Sequence, residues 1–145
     1  MTTPLLDTFG AVKRLDIHFD DLDPVGVVHN ARYAILLERA ISLFWHEHGM
    51  SFVDSRPSDP DMVAVVREFA ITFLAPIRST GPIDVHFWLD KLGTSSAVYG
   101  FRFLSVDHDT AYAEGRRVMV KIDPQTGQPS PWSEQANAIG STLLR

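Results

Sequence analysis

A carboxylate and a glycine stand just ahead of a long apolar segment in the run Phe19-Asp20-Asp21-Leu22-Asp23-Pro24-Val25-Gly26-Val27-Val28-His29-Asn30-Ala31-Arg32-Tyr33. If a helix follows, its first backbone N–H groups lack internal partners and carry the positive end of the helix dipole. A carbonyl docked there meets donors for a developing oxyanion. A carboxylate a few ångströms away can then act as nucleophile, or as general base toward water. Asp23 is the candidate for that role, and His29 and Asn30 are the candidate backbone donors. Gly26 would let backbone and ligand approach closely. The competing reading of the same residues is an acidic loop that caps a helix.

Other groups carry less. His46 and His48 are two apart, and such residues do not share a helix face, so they read as solvated helix-end side chains. His18 alternates with apolar residues on a strand. Asp107-His108-Asp109 has metal-ligand types, but aspartate-rich hairpin turns are the ordinary source of such a run. Tyr33, one turn into the helix, reads as a packing residue with a bonded hydroxyl. The chain has no cysteine, which excludes disulfides, thiolate metal sites and cysteine nucleophiles. No metal site and no cofactor is expected.

These groups need elements to place them. Lys13, Leu15, Ile17 and Phe19 alternate with Arg14, Asp16 and His18, a strand signal over residues 12–19 that breaks at the acidic, Pro- and Gly-containing stretch 20–26. A helix is predicted over about 30–48. Its apolar residues, among them Leu36, Leu37, Phe44 and Trp45, spread beyond one stripe, as in a buried helix. It would span roughly 28 Å, and Gly49 is a plausible stop. Residues 51–61 read as a loop. Four strands follow, at about 62–74, 83–89, 97–106 and 111–122, with turns at Gly93-Thr94-Ser95 and Asp107-His108-Asp109. Short turns imply antiparallel neighbours. Residues 123–131 read as a loop, and 132–144 as a short closing helix with Ser133 as cap. Residues 1–10 read as a flexible leader. The sum is one α+β domain over 1–145, with a five-stranded antiparallel sheet wrapped around one long central helix.

The bulk properties agree with a single domain. The chain has 145 residues, 45% hydrophobic and 21% charged, an ordinary globular composition. A net charge of −5 without a Lys/Arg run argues against nucleic acid and against an anionic membrane surface as partners. Neither a secretory signal nor a spanning apolar run is present, so a cytoplasmic location is expected.

The run from Asp21 resembles the signature of the 4-hydroxybenzoyl-CoA thioesterase-like branch of the hotdog superfamily. Asp21, Asp23, Pro24, Gly26, Val27, Val28, Tyr33, Glu38 and Ala40 fall in register with it. The likeness is specific over residues 17–41 and looser from Arg67 to Pro76. It implies a hotdog fold and hydrolysis of an acyl thioester to free acid and thiol. It also implies Asp23 as catalytic carboxylate, Asp21 as a structural acceptor of backbone hydrogen bonds, and Gly26, Val27, Val28, Tyr33 and Glu38 as pocket or support. Another hotdog branch uses a helix glutamate, which makes Glu38 the rival carboxylate. Relatives often carry an aromatic residue and then histidine or tyrosine where this chain has His29 and Asn30; a backbone donor survives that change.

Where the related enzymes place a basic cluster against the nucleotide phosphates, this chain has Lys91-Leu92-Gly93-Thr94-Ser95-Ser96, with one lysine. Lys91, Ser95 and Ser96 are the candidate carrier contacts, and an acyl-carrier protein stands beside acyl-CoA as thioester donor. A hotdog hydratase needs histidine five positions after its aspartate; five after Asp23 is Val28. A non-catalytic acyl-thioester binding protein is the alternative of a different class. A five-stranded sheet around one helix leaves a face and an edge uncovered, so a homodimer or homotetramer is expected.

Overall fold

The computed structural model describes residues 8–59 and 63–145. The order is β1 (Ala11–Ile17), a 3-10 turn (Phe19–Asp21), α1 (Arg32–Glu47), β2 (Phe52–Val53), β3 (Arg56–Pro57), β4 (Ala64–Phe73), β5 (Gly81–Leu92), β6 (Ser96–Leu104), β7 (Ala111–Lys121) and α2 (Glu134–Ser141). Five strands form one antiparallel sheet in the order β1-β5-β6-β7-β4. The short turns join β5 to β6 and β6 to β7 as spatial neighbours, as predicted. The connection from β4 to β5 instead crosses the sheet, and leaves β4 as an edge strand.

The α1 helix is shorter than expected, 16 residues rather than 19, and spans about 24 Å. Its buried residues are Tyr33, Leu36, Leu37, Ala40, Ile41 and Phe44, spaced i, i+3, i+4, i+7, i+8, i+11. That is one stripe, and it packs into a common core with Ile83, Val85, Phe87, Phe101 and Phe103 of the sheet. The expectation of a helix apolar over most of its circumference is corrected here. Glu38, Arg39 and Ser42 are exposed, and so are Ile35 and Leu43 at 42% and 41%. Leu36 and Leu37 widen the stripe without encircling the helix.

The first strand ends sooner than its alternation suggests. The carboxylate of Asp21 accepts the His18 N–H at 2.8 Å, which closes the 3-10 turn and takes the chain out of the sheet. Phe19, expected to point inward with Ile17, is 86% exposed. The segment read as a loop after α1 contains the small β2–β3 hairpin. Its two turn residues, Asp54 and Ser55, have φ of 51° and 62°, the primed geometry that suits two-residue hairpin turns. Met62, placed at the start of the strand predicted over 62–74, lies outside the described residues, as does the leader over 1–7.

Leader residues 8–10 are tied down rather than loose. The Phe9 carbonyl bonds to His86 Nε2 at 2.7 Å, and the Phe9 ring meets Trp88 edge-on. This covers the second face of β5. Ile83 to Leu89 are therefore all buried, although Asp84 and His86 fall on the polar phase of the alternation. The closing helix is as expected, with the Ser133 side chain accepting the Ala136 N–H at 3.0 Å. Beyond it, the Leu89 N–H donates to Leu143 and the Arg145 N–H to Leu89.

Candidate active site

The Asp23 loop is a tight turn built by its own carboxylate. Oδ1 of Asp23 accepts the N–H of Val25 at 2.8 Å and, more weakly, that of Val27 at 3.3 Å. The backbone closes the same turn: Gly26 N–H donates to Asp23 O at 2.9 Å, and Asp23 N–H to Val27 O at 2.8 Å. Gly26 has φ of +87°, and a Cβ there would meet nothing within 4 Å. The glycine is thus required by the left-handed backbone, not by a close approach to protein atoms. With Oδ1 committed, Oδ2 accepts no hydrogen bond among the described residues and is the free lone-pair face of the carboxylate.

The loop is anchored to the start of α1 and to the chain beyond β4. Val28 is buried and its N–H donates to Ile77 O at 2.9 Å. Asp21 is buried, and its carbonyl accepts the His29 N–H at 2.9 Å, while its Oδ1 lies 3.8 Å from Arg32 Nε. The predicted structural role of Asp21 therefore has a visible basis. Neither aspartate caps α1, since the residue at that position, Ala31, has no side-chain cap.

The donors at the helix start are fewer than expected. His29 N–H is spent on Asp21, so it is not available to an oxyanion. His29 contributes its ring instead: Nδ1 accepts the Ala31 N–H at 3.1 Å, and its carbonyl accepts from Arg32. The Asn30 N–H makes no hydrogen bond among the described residues and is the remaining donor of the predicted pair.

Asp23, Val27, Asn30, Tyr33, Phe73 and Pro76 line a cavity of about 390 Å³. Tyr33 forms its inner wall, edge-on to Phe73 and Phe103 at 5.0 and 5.1 Å. Burial pushes the Tyr33 phenol above its usual range. The expected packing role fits, but the expected bonded hydroxyl does not: Tyr33 Oη has no partner among the described residues.

Glu38 stands elsewhere. It lines a second cavity of about 360 Å³, at the opposite end of α1 and sharing no residue with the first. There the Glu38 carboxylate pairs with Arg117. Arg117 is 4% exposed and its guanidinium sits 5.6 Å from the Tyr99 ring centroid. Tyr99 Oη accepts the Trp45 Nε1–H at 2.9 Å, and burial pushes its phenol up to about 12. The sequence reading did not place Arg117, although a signal was present. In the period-two pattern of β7, Arg117 shares its face with Ala113 and Met119, the apolar phase.

The β5–β6 turn places Lys91 in solvent, with Ser95 and Ser96 half-buried. Ser95 and Ser96 use their carbonyls internally, accepting from Lys121 and Gly93. The Asp107–Asp109 turn is held by Asp107 Oδ1, which accepts from Ser105 Oγ and Asp109 N, and His108 reaches Asp84 at 2.7 Å. Among the described residues no group of three or more His, Asp or Glu is gathered to hold a metal ion.

The chain matches the model of the thioesterase-like superfamily over residues 17–139. The acyl-CoA thioester hydrolase YbgC of Escherichia coli O6:H1 is 25% identical over 114 residues, 78% of this chain and 82% of that protein. A thioesterase from Thermus thermophilus, solved with coenzyme A and zinc, superposes with a TM-score of 0.72 at 26% identity, covering 95% of this chain and 96% of that one. A 1,4-dihydroxy-2-naphthoyl-CoA thioesterase from Synechocystis gives a TM-score of 0.79 at 12% identity over 91% of this chain and 96% of that one, a likeness of fold. The matched span runs from the end of β1 into α2 and so takes in the Asp23 loop, α1 and the other four strands of the sheet: this chain belongs to the thioesterase-like superfamily.

Proposed function

We propose that this protein hydrolyses acyl-CoA thioesters, with Asp23 as the catalytic carboxylate and the start of α1 polarising the thioester carbonyl. One observation carries the reading. A carboxylate fixed by two backbone N–H groups keeps its second oxygen free at a cavity that also holds the uncommitted Asn30 N–H. As general base, Asp23 takes a proton from water, the water oxygen attacks the carbonyl carbon, and the C–S bond breaks as the thiolate leaves and is protonated. As nucleophile, Oδ2 attacks the carbon directly, the thiolate leaves, and water cleaves the mixed anhydride. In both routes negative charge grows on the carbonyl oxygen, where a backbone donor stabilises the transition state most. The naming of the Escherichia coli relative as an acyl-CoA thioester hydrolase, and coenzyme A on the Thermus thermophilus relative, support the substrate class.

The reading includes a second copy of the chain. Edge strand β4 offers unpaired backbone groups, Val65, Val66 and Phe73 on it are about half exposed, and Ile35 and Leu43 of α1 are exposed as well. The Asp23 cavity lies at the Phe73 end of β4 and the Glu38 cavity at the Ala64 end. Antiparallel pairing of two β4 strands sets the Asp23 cavity of one copy beside the Glu38 cavity of the other. It also covers the outer face of α1, which completes the enclosure of that helix in a hotdog arrangement. A homodimer is the minimal assembly and a homotetramer its doubling.

An acyl-carrier protein remains the alternative donor, favoured by the single exposed lysine at the β5–β6 turn, Lys91. Thiol release from matched acyl-CoA, acyl-pantetheine and acyl-carrier-protein substrates tests the reading. Faster release from acyl-CoA than from acyl-pantetheine, weakening with salt as phosphate contacts are screened, is the expected result. Equal rates for the CoA and pantetheine substrates, with faster release from the carrier protein, move the donor to the carrier. Binding without thiol release makes the chain a non-catalytic binder.

A further inference from the structure

Tyr33 carries a polar group that its packing does not use. The side chain is buried, at 3% exposure, and Phe73 and Phe103 meet its ring edge-on. Both are contacts to the ring, and a phenylalanine would make them equally well. The phenol oxygen has no hydrogen-bond partner among the described residues, yet it is not one of the partnerless polar atoms sealed from solvent. The small surface that Tyr33 keeps therefore includes that oxygen, and the space beside it is the Asp23 cavity, which Tyr33 lines. Of the polar side chains on that wall, His29 and Asn30 are exposed and Asp23 is half-buried; Tyr33 alone is buried. Burying a hydroxyl without a hydrogen bond costs stability. Tyr33 is the second residue of α1, and helix side chains tilt toward the N-terminus. The ring thus leans back over the entry to the helix, where Asn30, three residues earlier, keeps its N–H unspent. The phenol makes no bond to the Asp23 carboxylate, so both groups stay available to a ligand between them.

We propose that Tyr33 is a catalytic residue, whose O–H donates to the thioester carbonyl oxygen beside the Asn30 N–H as the second donor of the oxyanion site. A carbonyl oxygen has two lone pairs, and the Asn30 N–H serves one of them. The helix start lost its other predicted donor when the His29 N–H went to Asp21, and a side chain from the first turn of α1 takes that place. Burial first, and the neighbouring Tyr112 second, push the phenol above its usual range, so it enters the reaction protonated. It donates without giving up its proton, and the bonds made and broken are those of thioester hydrolysis alone. A fixed donor held away from bulk water stabilises the growing charge without reorganising.

The kinetic arm of the test rests on the hydrolase reading and the spectroscopic arm does not. Thiol release by the wild type and Tyr33→Phe is measured on a series of alkanoyl-CoAs and on benzoyl-CoA. The amide analogues of the same series, with N–H in place of the sulfur and an isotope-labelled carbonyl carbon, are bound and read by NMR. Tyr33→Phe should lower kcat by about 10²–10³ with KM little changed. Its Tm should equal or exceed that of the wild type, because the lost hydroxyl bonds nothing in the folded chain. The labelled carbonyl should move downfield on binding the wild type, and Tyr33→Phe should cancel part of that shift. An unchanged kcat in Tyr33→Phe overturns the catalytic role. An unchanged carbonyl shift overturns the contact whatever the kinetics, and with a lower Tm it makes Tyr33 a packing residue. Failure of the wild type to bind any of the amides overturns the proposal as well. A shift that Tyr33→Phe reduces, without thiol release from any substrate, keeps the contact and sinks the hydrolase reading alone.

Discussion

Asp21 and Asp23 sit two residues apart, and the account gives them different work, so Asp21→Asn is an informative perturbation. Asp21 is 3% exposed. Its Oδ2 accepts His18 N–H at 2.8 Å and its Oδ1 faces Arg32 Nε at 3.8 Å. The amide keeps one oxygen and replaces the other with a donor. Either His18 N–H or the Arg32 guanidinium then faces an NH₂ group, and the charge is lost in both cases. A hydrogen bond to a charged group contributes about 1.5–3 kcal/mol, so the expected destabilisation is of that size. For a chain of this length it corresponds to a fall in Tm of about 5–9 °C. Differential scanning calorimetry and thiol-release kinetics on the same preparation read both properties. The expected outcome is the lower Tm with kcat within about threefold of wild type, since the Asp23 turn closes on Val25 and Val27, not on Asp21. An unchanged Tm with a hundredfold loss of kcat would place Asp21 in the chemistry and refute the division of labour.

Three further outcomes follow from the geometry. Asp84 is buried and lies between Arg14, at 2.9 and 3.2 Å, and His108. Burial raises its pKa, but those two partners more than offset it and hold the carboxyl below its usual range. The stability it contributes is present above the unfolded-state value and is lost as pH falls through the lower folded value. Thermal melts from pH 5 downward should therefore steepen for the wild type and be flatter for Asp84→Asn. Leu37→Ala removes a side chain with 0% exposure from the centre of the α1 stripe and should cost about 2–5 kcal/mol by urea denaturation. Gly26→Ala imposes a Cβ on a φ of +87° with no clash. It should cost about 1–2 kcal/mol of backbone strain and lower kcat by loosening the Asp23 turn, measured by the same two assays.

Much of the fold was legible because its pattern is local. The alternations of β5, β6 and β7 and the turns between them can be read from period two and turn residues alone. So can the Ser133 cap, because a serine before a helix has a defined bond to make. The loop around Asp23 was legible through its resemblance to a family signature, not through propensity. What could not be read was set by long-range partners. The outer face of α1 was read as apolar because Leu36-Leu37 and Phe44-Trp45 widen the pattern; the helix turn separates Phe44 from Trp45. The commitment of His29 N–H depends on Asp21 O, eight positions earlier, and the spread of donors at the helix start follows from it. Crossing from β4 to β5 makes β4 an edge, which no local pattern encodes. Glu38 leaves the Asp23 cavity through another long-range partner, since its carboxylate pairs with Arg117 of β7, 79 positions away.

The central claim is that Asp23 performs the hydrolysis, and steady-state and single-turnover thiol release by Asp23→Asn tests it most directly. The amide is nearly isosteric and still accepts from Val25 and Val27, so the turn and the cavity persist and Tm should stay within a degree or two. A positioned base contributes about 10²–10⁴ in rate, and the account predicts a fall of that size or more in kcat and kcat/KM together. Near-full activity of Asp23→Asn, with activity abolished in Glu38→Gln, would contradict it and move the chemistry to the helix glutamate.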